Sequence, residues 1–148
     1  MGGIELRNGT LVVERDPNQL DELAIAFSRI LDEFDIDHVY VAGYVSILAG
    51  RARSTEDIDV LVERLDEESV EELSERLADA DYWGPAMPLE SMAEMLDAGD
   101  PVWVAPADQI TPHIEVKFVR DRFDRASLEN AITARIDGES IPIGPLEL

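Results

Sequence analysis

Two stretches decide how this chain folds: Val39-Tyr40-Val41-Ala42-Gly43 and, thirteen residues later, Asp57-Ile58-Asp59-Val60-Leu61-Val62. Each is short and rich in β-branched or aromatic side chains, the pattern of a buried strand. In the second stretch alternate side chains share a face, so Asp57 and Asp59 point one way while Ile58, Val60 and Val62 enter a core. The first turns at Gly43 into a short helix, Tyr44 to Gly50. A glycine at a strand-to-helix junction lets backbone N–H groups approach a phosphate, and the helix N-terminus favours its negative charge. Two carboxylates about 7 Å apart on a rigid strand can grip one or two divalent cations.

Outward from this centre the chain alternates strands and helices. Ile4 to Arg7 and Leu11 to Glu14 flank Asn8-Gly9 and read as a hairpin over residues 4–14. Asp16 is the expected cap of a helix with Pro17 in its first turn and an apolar stripe of Leu20, Leu23, Phe27, Ile30, Leu31 and Phe34. The strands expected next are His38–Ala42 and Asp57–Glu63. An acidic helix follows over Asp66–Asp81, with Val70, Leu73 and Leu77 facing inward. Pro88–Ala98 reads as helical, Val102–Ala105 as extended and His113–Val119 as a strand. Asp121–Ala134 is the expected last helix, and Ile141–Ile143 a final edge strand. With no Pro- or Gly-rich linker and no repeat, the pattern is one α/β (α+β) domain with a mixed central sheet and helices mainly on one face. The end, Gly144-Pro145-Leu146-Glu147-Leu148, either packs as it stands or leads into a further C-terminal segment.

The composition narrows the setting. The chain has 148 residues, 33 acidic against 12 basic, and a formal charge of -21. It has no Cys, which excludes disulfides, thiolate metal ligands and a thiol nucleophile. The opening Met-Gly-Gly-Ile-Glu lacks the basic and apolar segments of a secretory signal, and the longest nearly apolar stretch, Val39–Gly50, is too short to span a bilayer. The expectation is a soluble, cytoplasmic protein without a membrane partner. Lys117 is the only lysine, and this acid-rich, lysine-poor balance resembles the halophilic proteins of salt-loving archaea. Near molar salt the Debye length falls to about 3 Å, so net charge does not exclude a nucleic-acid partner.

Acid-x-acid pairs alone carry little, since roughly seven are expected by chance at this acid content. Glu33-x-Asp35 and Asp66-x-Glu68 read as solvated surface. Asp57 and Asp59 differ because apolar residues follow at once and a glycine turn stands upstream, joined to them by Arg51-x-Arg53-Ser54-Thr55-Glu56. Val41-Ala42-Gly43 followed by Asp57-Ile58-Asp59 resembles the signature of the polymerase-beta-like nucleotidyltransferase superfamily. The run Arg53-Ser54-Thr55-Glu56-Asp57-Ile58-Asp59 further resembles its minimal branch, which includes nucleotidyltransferases of toxin–antitoxin and abortive-infection systems.

The resemblance implies a nucleotidyltransferase-like domain spanning residues 1–148. It would move a nucleoside monophosphate from an NTP to a hydroxyl acceptor, with Mg²⁺ (or Mn²⁺) as cofactor. Asp57 and Asp59 would be the metal-binding, catalytic pair, and Gly43 the second small residue of the phosphate-binding turn. Ala42 stands where the signature has its first glycine, a departure whose methyl group crowds a phosphate tail. The superfamily uses a third carboxylate on a later strand. Glu115 is the candidate, because Ile114, Val116 and Phe118 face the core while His113, Glu115 and Lys117 share the other face.

Arg51 and Arg53 are candidates to neutralise phosphate charge. Ser46 either reaches the phosphates from the first helical turn or satisfies the backbone, and Thr55 braces the loop. Tyr44 is a further candidate nucleotide contact. His38 and His113 lack partners at metal-ligand spacing and read as structural. Trp83 and Trp103 read as packing residues rather than base-stacking ones. The competing reading is a catalytically inactive nucleotide-binding or protein-interaction module of the same fold, such as a toxin–antitoxin component. The acceptor class stays open among RNA, protein and small molecule, as does a partner protein that supplies the acceptor site.

Overall fold

The structure is a computed structural model that describes residues 4–7, 10–13, 16–48 and 57–144. Arg51, Arg53 and Thr55 lie outside them, as do Asn8-Gly9, where the sequence predicts a turn, and residues 145–148. The strands are β1 (Ile4–Arg7), β2 (Thr10–Val13), β3 (His38–Val41), β4 (Asp57–Val62), β5 (Tyr82–Trp83), β6 (Val102–Pro106), β7 (His113–Phe118), β8 (Ile132–Ile136) and β9 (Glu139–Ile143). The helices are α1 (Gln19–Glu33), α2 (Gly43–Leu48), α3 (Glu67–Asp79), α4 (Met92–Ala98, entered through a 3-10 turn at Leu89–Ser91) and α5 (Arg122–Glu129). The strands form one mixed sheet in the order β1-β2-β8-β9-β3-β4-β7-β6-β5.

The alternation on β4 sorts the two faces of this sheet. Ile58, Val60 and Val62, with Ile114, Val116 and Phe118 on β7, are almost fully buried. They pack with Phe27 and Leu31 of α1, Leu48 of α2, Leu73 and Leu77 of α3, and Met92 and Leu96 of α4. Among the described residues the opposite face is covered at one end only, where Val39, Leu61 and Val119 pack with Leu128 and Ala131 at α5. Asp57 and Asp59 occupy the uncovered end of that face and are half-buried. Helices therefore lie mainly on one face, as the sequence pattern predicts. No helix among the described residues is long and apolar enough to cross a membrane.

Three expectations need correction. The cap of α1 is Asn18, not Asp16: the Asn18 side chain accepts the Asp21 N–H at 2.9 Å and the Asp21 carboxylate accepts the Asn18 N–H at 2.9 Å. This reciprocal pair satisfies two helix-end donors at once, which one aspartate further upstream does not do. The last helix ends at Glu129, and the residues read as its final turn belong to β8. The terminal strand is longer than expected and interior, lying between β8 and β3. Asp137-Gly138 explains both errors. Their φ angles of 49° and 80° make the tight turn of a hairpin that pairs Ile136 with Glu139.

A buried polar network fixes β3 against α1. Ser28 Oγ lies 2.8 Å from both His38 Nε2 and the Tyr40 hydroxyl, which in turn donates to the Ala24 carbonyl at 2.7 Å. His38 Nδ1 lies 3.0 Å from the Ile36 carbonyl, which can only accept, so Nδ1 donates; burial holds the imidazole pKa down. His38 is structural, as the sequence suggests.

Candidate active site

Register brings the distant acids together. β4 and β7 pair in parallel, with Asp57 opposite His113 and Asp59 opposite Glu115. Because facing residues on neighbouring strands point the same way, all four side chains rise from one face of the sheet. β6 adds Trp103 opposite Glu115, and β3 adds Val41 opposite Asp59. Asp57, Asp59 and Glu115 thus meet at the uncovered end of the sheet, beside the turn that leads from Val41 into α2. Gly43 and Ser46 fall in the first turn of that helix.

The electrostatics are those of anions packed too closely. Glu115 has its pKa pushed from 4.5 to about 7, first by a hydrogen bond with Asp57 that needs a proton, then by burial and by the charges of Asp59 and Asp57. The Trp103 indole works the other way. Burial also raises Asp59, helped by Asp57 and opposed by Lys117 and His113. Carboxylates held this way favour a proton or a cation among them.

His113 belongs to this cluster, which corrects its reading as a residue without ligand partners. One donor atom each from Asp57, His113 and Glu115 lie within 4.8 Å of one another. The expected carboxylate triad shares Asp57 and Glu115 with this group, and Asp59 stands one position along the same face of β4. His113 is buried, its ring stacked on Trp103 at 4.3 Å and 21°. Trp103 therefore shapes the site, which the sequence reading missed. The available signal was the His113-x-Glu115 alternation combined with parallel pairing to Asp57-x-Asp59.

At the turn itself, the departure from the signature carries backbone strain. Ala42 has φ 63°, in the left-handed region that favours glycine, and its methyl group is exposed. Tyr44, by contrast, is fully buried and donates to Asp21 Oδ1 at 2.7 Å. Its hydroxyl ties α2 to the start of α1 and does not face a nucleotide. From Ala42 and Asp59 a cleft of about 720 Å³ runs toward α5, lined also by Lys117, Arg120 and Phe123. Arg120 packs over Gly99, where an added Cβ would lie 1.4 Å from its Nη1. Gly99 has φ 89° as the C-cap of α4, a left-handed backbone conformation that favours glycine; a side chain there would also require the flexible Arg120 to move.

No protein-family model matches the sequence, and no curated protein matches it either. Among solved structures, the fold is similar to an antigenic nucleotidyltransferase-like protein from Paracoccidioides brasiliensis. The likeness has a TM-score of 0.59 at 16% identity and covers 87% of this chain. It covers 62% of the other protein, so this chain spans less than two thirds of that protein's length. At this identity the likeness is one of architecture: the chain has a nucleotidyltransferase-like fold.

Proposed function

We propose that the chain is a metal-dependent nucleotidyltransferase that moves a nucleoside monophosphate from an NTP to a hydroxyl acceptor. The observation that carries this reading is the convergence of Asp57, Asp59 and Glu115 on one open sheet face beside the Val41–Gly43 turn. The donor set fits a divalent cation such as Mg²⁺ or Mn²⁺: three carboxylates share too few protons, and the buried His113 Nε2 has no hydrogen-bond partner among the described residues. When bound, the metal supplies charge neutralisation to the phosphates and lowers the pKa of the attacking hydroxyl.

In this reading the chain itself orients the reactants. The acceptor oxygen forms a bond to the α-phosphorus, the bond from that phosphorus to the bridging oxygen breaks, and pyrophosphate leaves with the electron pair. A carboxylate oxygen of the triad takes the hydroxyl proton. Backbone N–H groups at the start of α2 hold the phosphate tail in line, and the cleft toward α5 accommodates the acceptor. Arg51, Arg53 and Ser46 are the remaining candidates for phosphate contact, and RNA, protein and small-molecule acceptors all remain within the proposal. Pyrophosphate release in concentrated KCl, measured with each NTP, tests it. Removal of both strand carboxylates (D57A with D59A) is expected to abolish release, and activity that survives would end the proposal.

One observation favours a second reading. Ala42, strained and exposed, puts a methyl group on the turn that would receive a triphosphate. A non-catalytic nucleotide-binding or protein-interaction module, such as a toxin–antitoxin component, would tolerate that. Calorimetry with Mg²⁺ and NTP separates the two: binding without turnover supports the module.

A further inference from the structure

We propose that His113 is a metal ligand through Nε2, making this centre a mixed nitrogen–oxygen site that prefers a first-row transition ion such as Mn²⁺ to Mg²⁺. The proposal deepens the transferase reading and rests on it for its purpose, while its test reads coordination without turnover.

Four observations carry it. The His113 side chain is 9% exposed, and its Nε2 is a buried polar atom with no hydrogen-bond partner among the described residues. Unpaired buried polar atoms are costly, so one aimed into an acidic cluster points to something that pairs with it. The other ring nitrogen, Nδ1, lies 3.1 Å from the Ile110 carbonyl, which can only accept. Nδ1 therefore donates, and in the neutral ring this leaves the lone pair on Nε2. A backbone carbonyl on the far nitrogen is the usual way a protein sets the tautomer of a metal-binding imidazole.

Third, Nε2 stands 3.7 Å from Glu115 Oε2, too far for a hydrogen bond. Neighbouring ligands on a four- or six-coordinate ion with bonds of about 2.1 Å stand roughly 3–3.5 Å apart, so a small contraction seats both on one ion. Asp57 supplies a third donor within the same 4.8 Å group. Fourth, the stack on Trp103 fixes the plane of the ring, so the nitrogen is oriented before any ion arrives. Oxygen-only sets suit Mg²⁺, whereas imidazole nitrogen suits first-row transition ions.

The experiment loads the full chain with Mn²⁺ in concentrated KCl and records pulsed electron paramagnetic resonance. Modulation from a directly bound ¹⁴N is expected in the wild type and is expected to vanish in His113→Gln. Mn²⁺ affinity should fall about tenfold or more in that variant, by the usual scale of losses at metal sites, with Mg²⁺ affinity changing far less. Absence of nitrogen modulation in the wild type overturns the proposal and needs no variant to fold. Modulation that persists in His113→Gln also overturns it, since His38 is the only other histidine. Nucleotidyl transfer lost with nitrogen coordination intact would instead count against the transferase reading alone.

Discussion

Glu115 keeps its proton to about pH 7 because Asp57 shares it and Asp59 lies opposite. A folded-state pKa above the unfolded one means that the fold favours the protonated acid. The stabilisation is complete below about 4.5 and is lost as pH rises through about 7. The metal-free protein in fixed, concentrated KCl is therefore expected to lose stability between these values. Denaturant midpoints measured across that range check this, and Glu115→Gln should flatten the slope. Added Mn²⁺ should remove the loss at neutral pH by taking the place of the proton. Residue identities at this site were legible in part. Asp57, Asp59 and Glu115 announce themselves by alternation with apolar neighbours, but His113 and Trp103 do not. Their roles come from which strands lie side by side, and strand order is not written in local periodicity.

At the scale of elements, the β3–α2 junction and the start of α1 can each be weighed. A non-glycine residue in the left-handed region costs roughly 1–2 kcal/mol, against about 0.5–1 kcal/mol of added chain entropy for glycine. Ala42→Gly is thus expected to stabilise the protein by about 0.5–1 kcal/mol and to tighten NTP binding, as chemical denaturation and calorimetry would show. Asn18→Ala should cost about 1 kcal/mol by removing one half of the capping box. Helix and strand identities were readable wherever hydrophobic period and length agreed, as in α1, β4, α3 and β7. They failed after Asp121, where Arg122–Glu129 is a good amphipathic helix and the apolar residues of β8 continue its stripe by accident. The Asp137-Gly138 pair held the missing information, since its turn requires a strand on either side.

The whole molecule carries its charge of -21 on a surface whose sole lysine, Lys117, sits on the acidic sheet face. If the acid-rich composition reflects a salt-adapted protein, the thermal midpoint should rise steeply between dilute buffer and molar KCl, where repulsion is screened. The open end of that face could be anticipated from β4 alone; the position of α5 at its other end could not, because α5 was read too long. The sheet also joins strands far apart in the chain. β2 pairs with β8, so Thr10 must wait for Thr133, and the β8–β9 hairpin wedges between strands made long before it. Such distant pairing is slow to close, and until it does the bare edges of β2 and β3 can recruit neighbouring chains. For a nascent polypeptide on the ribosome, those two edges therefore stay without their final partners until residues 132–143 have been synthesised.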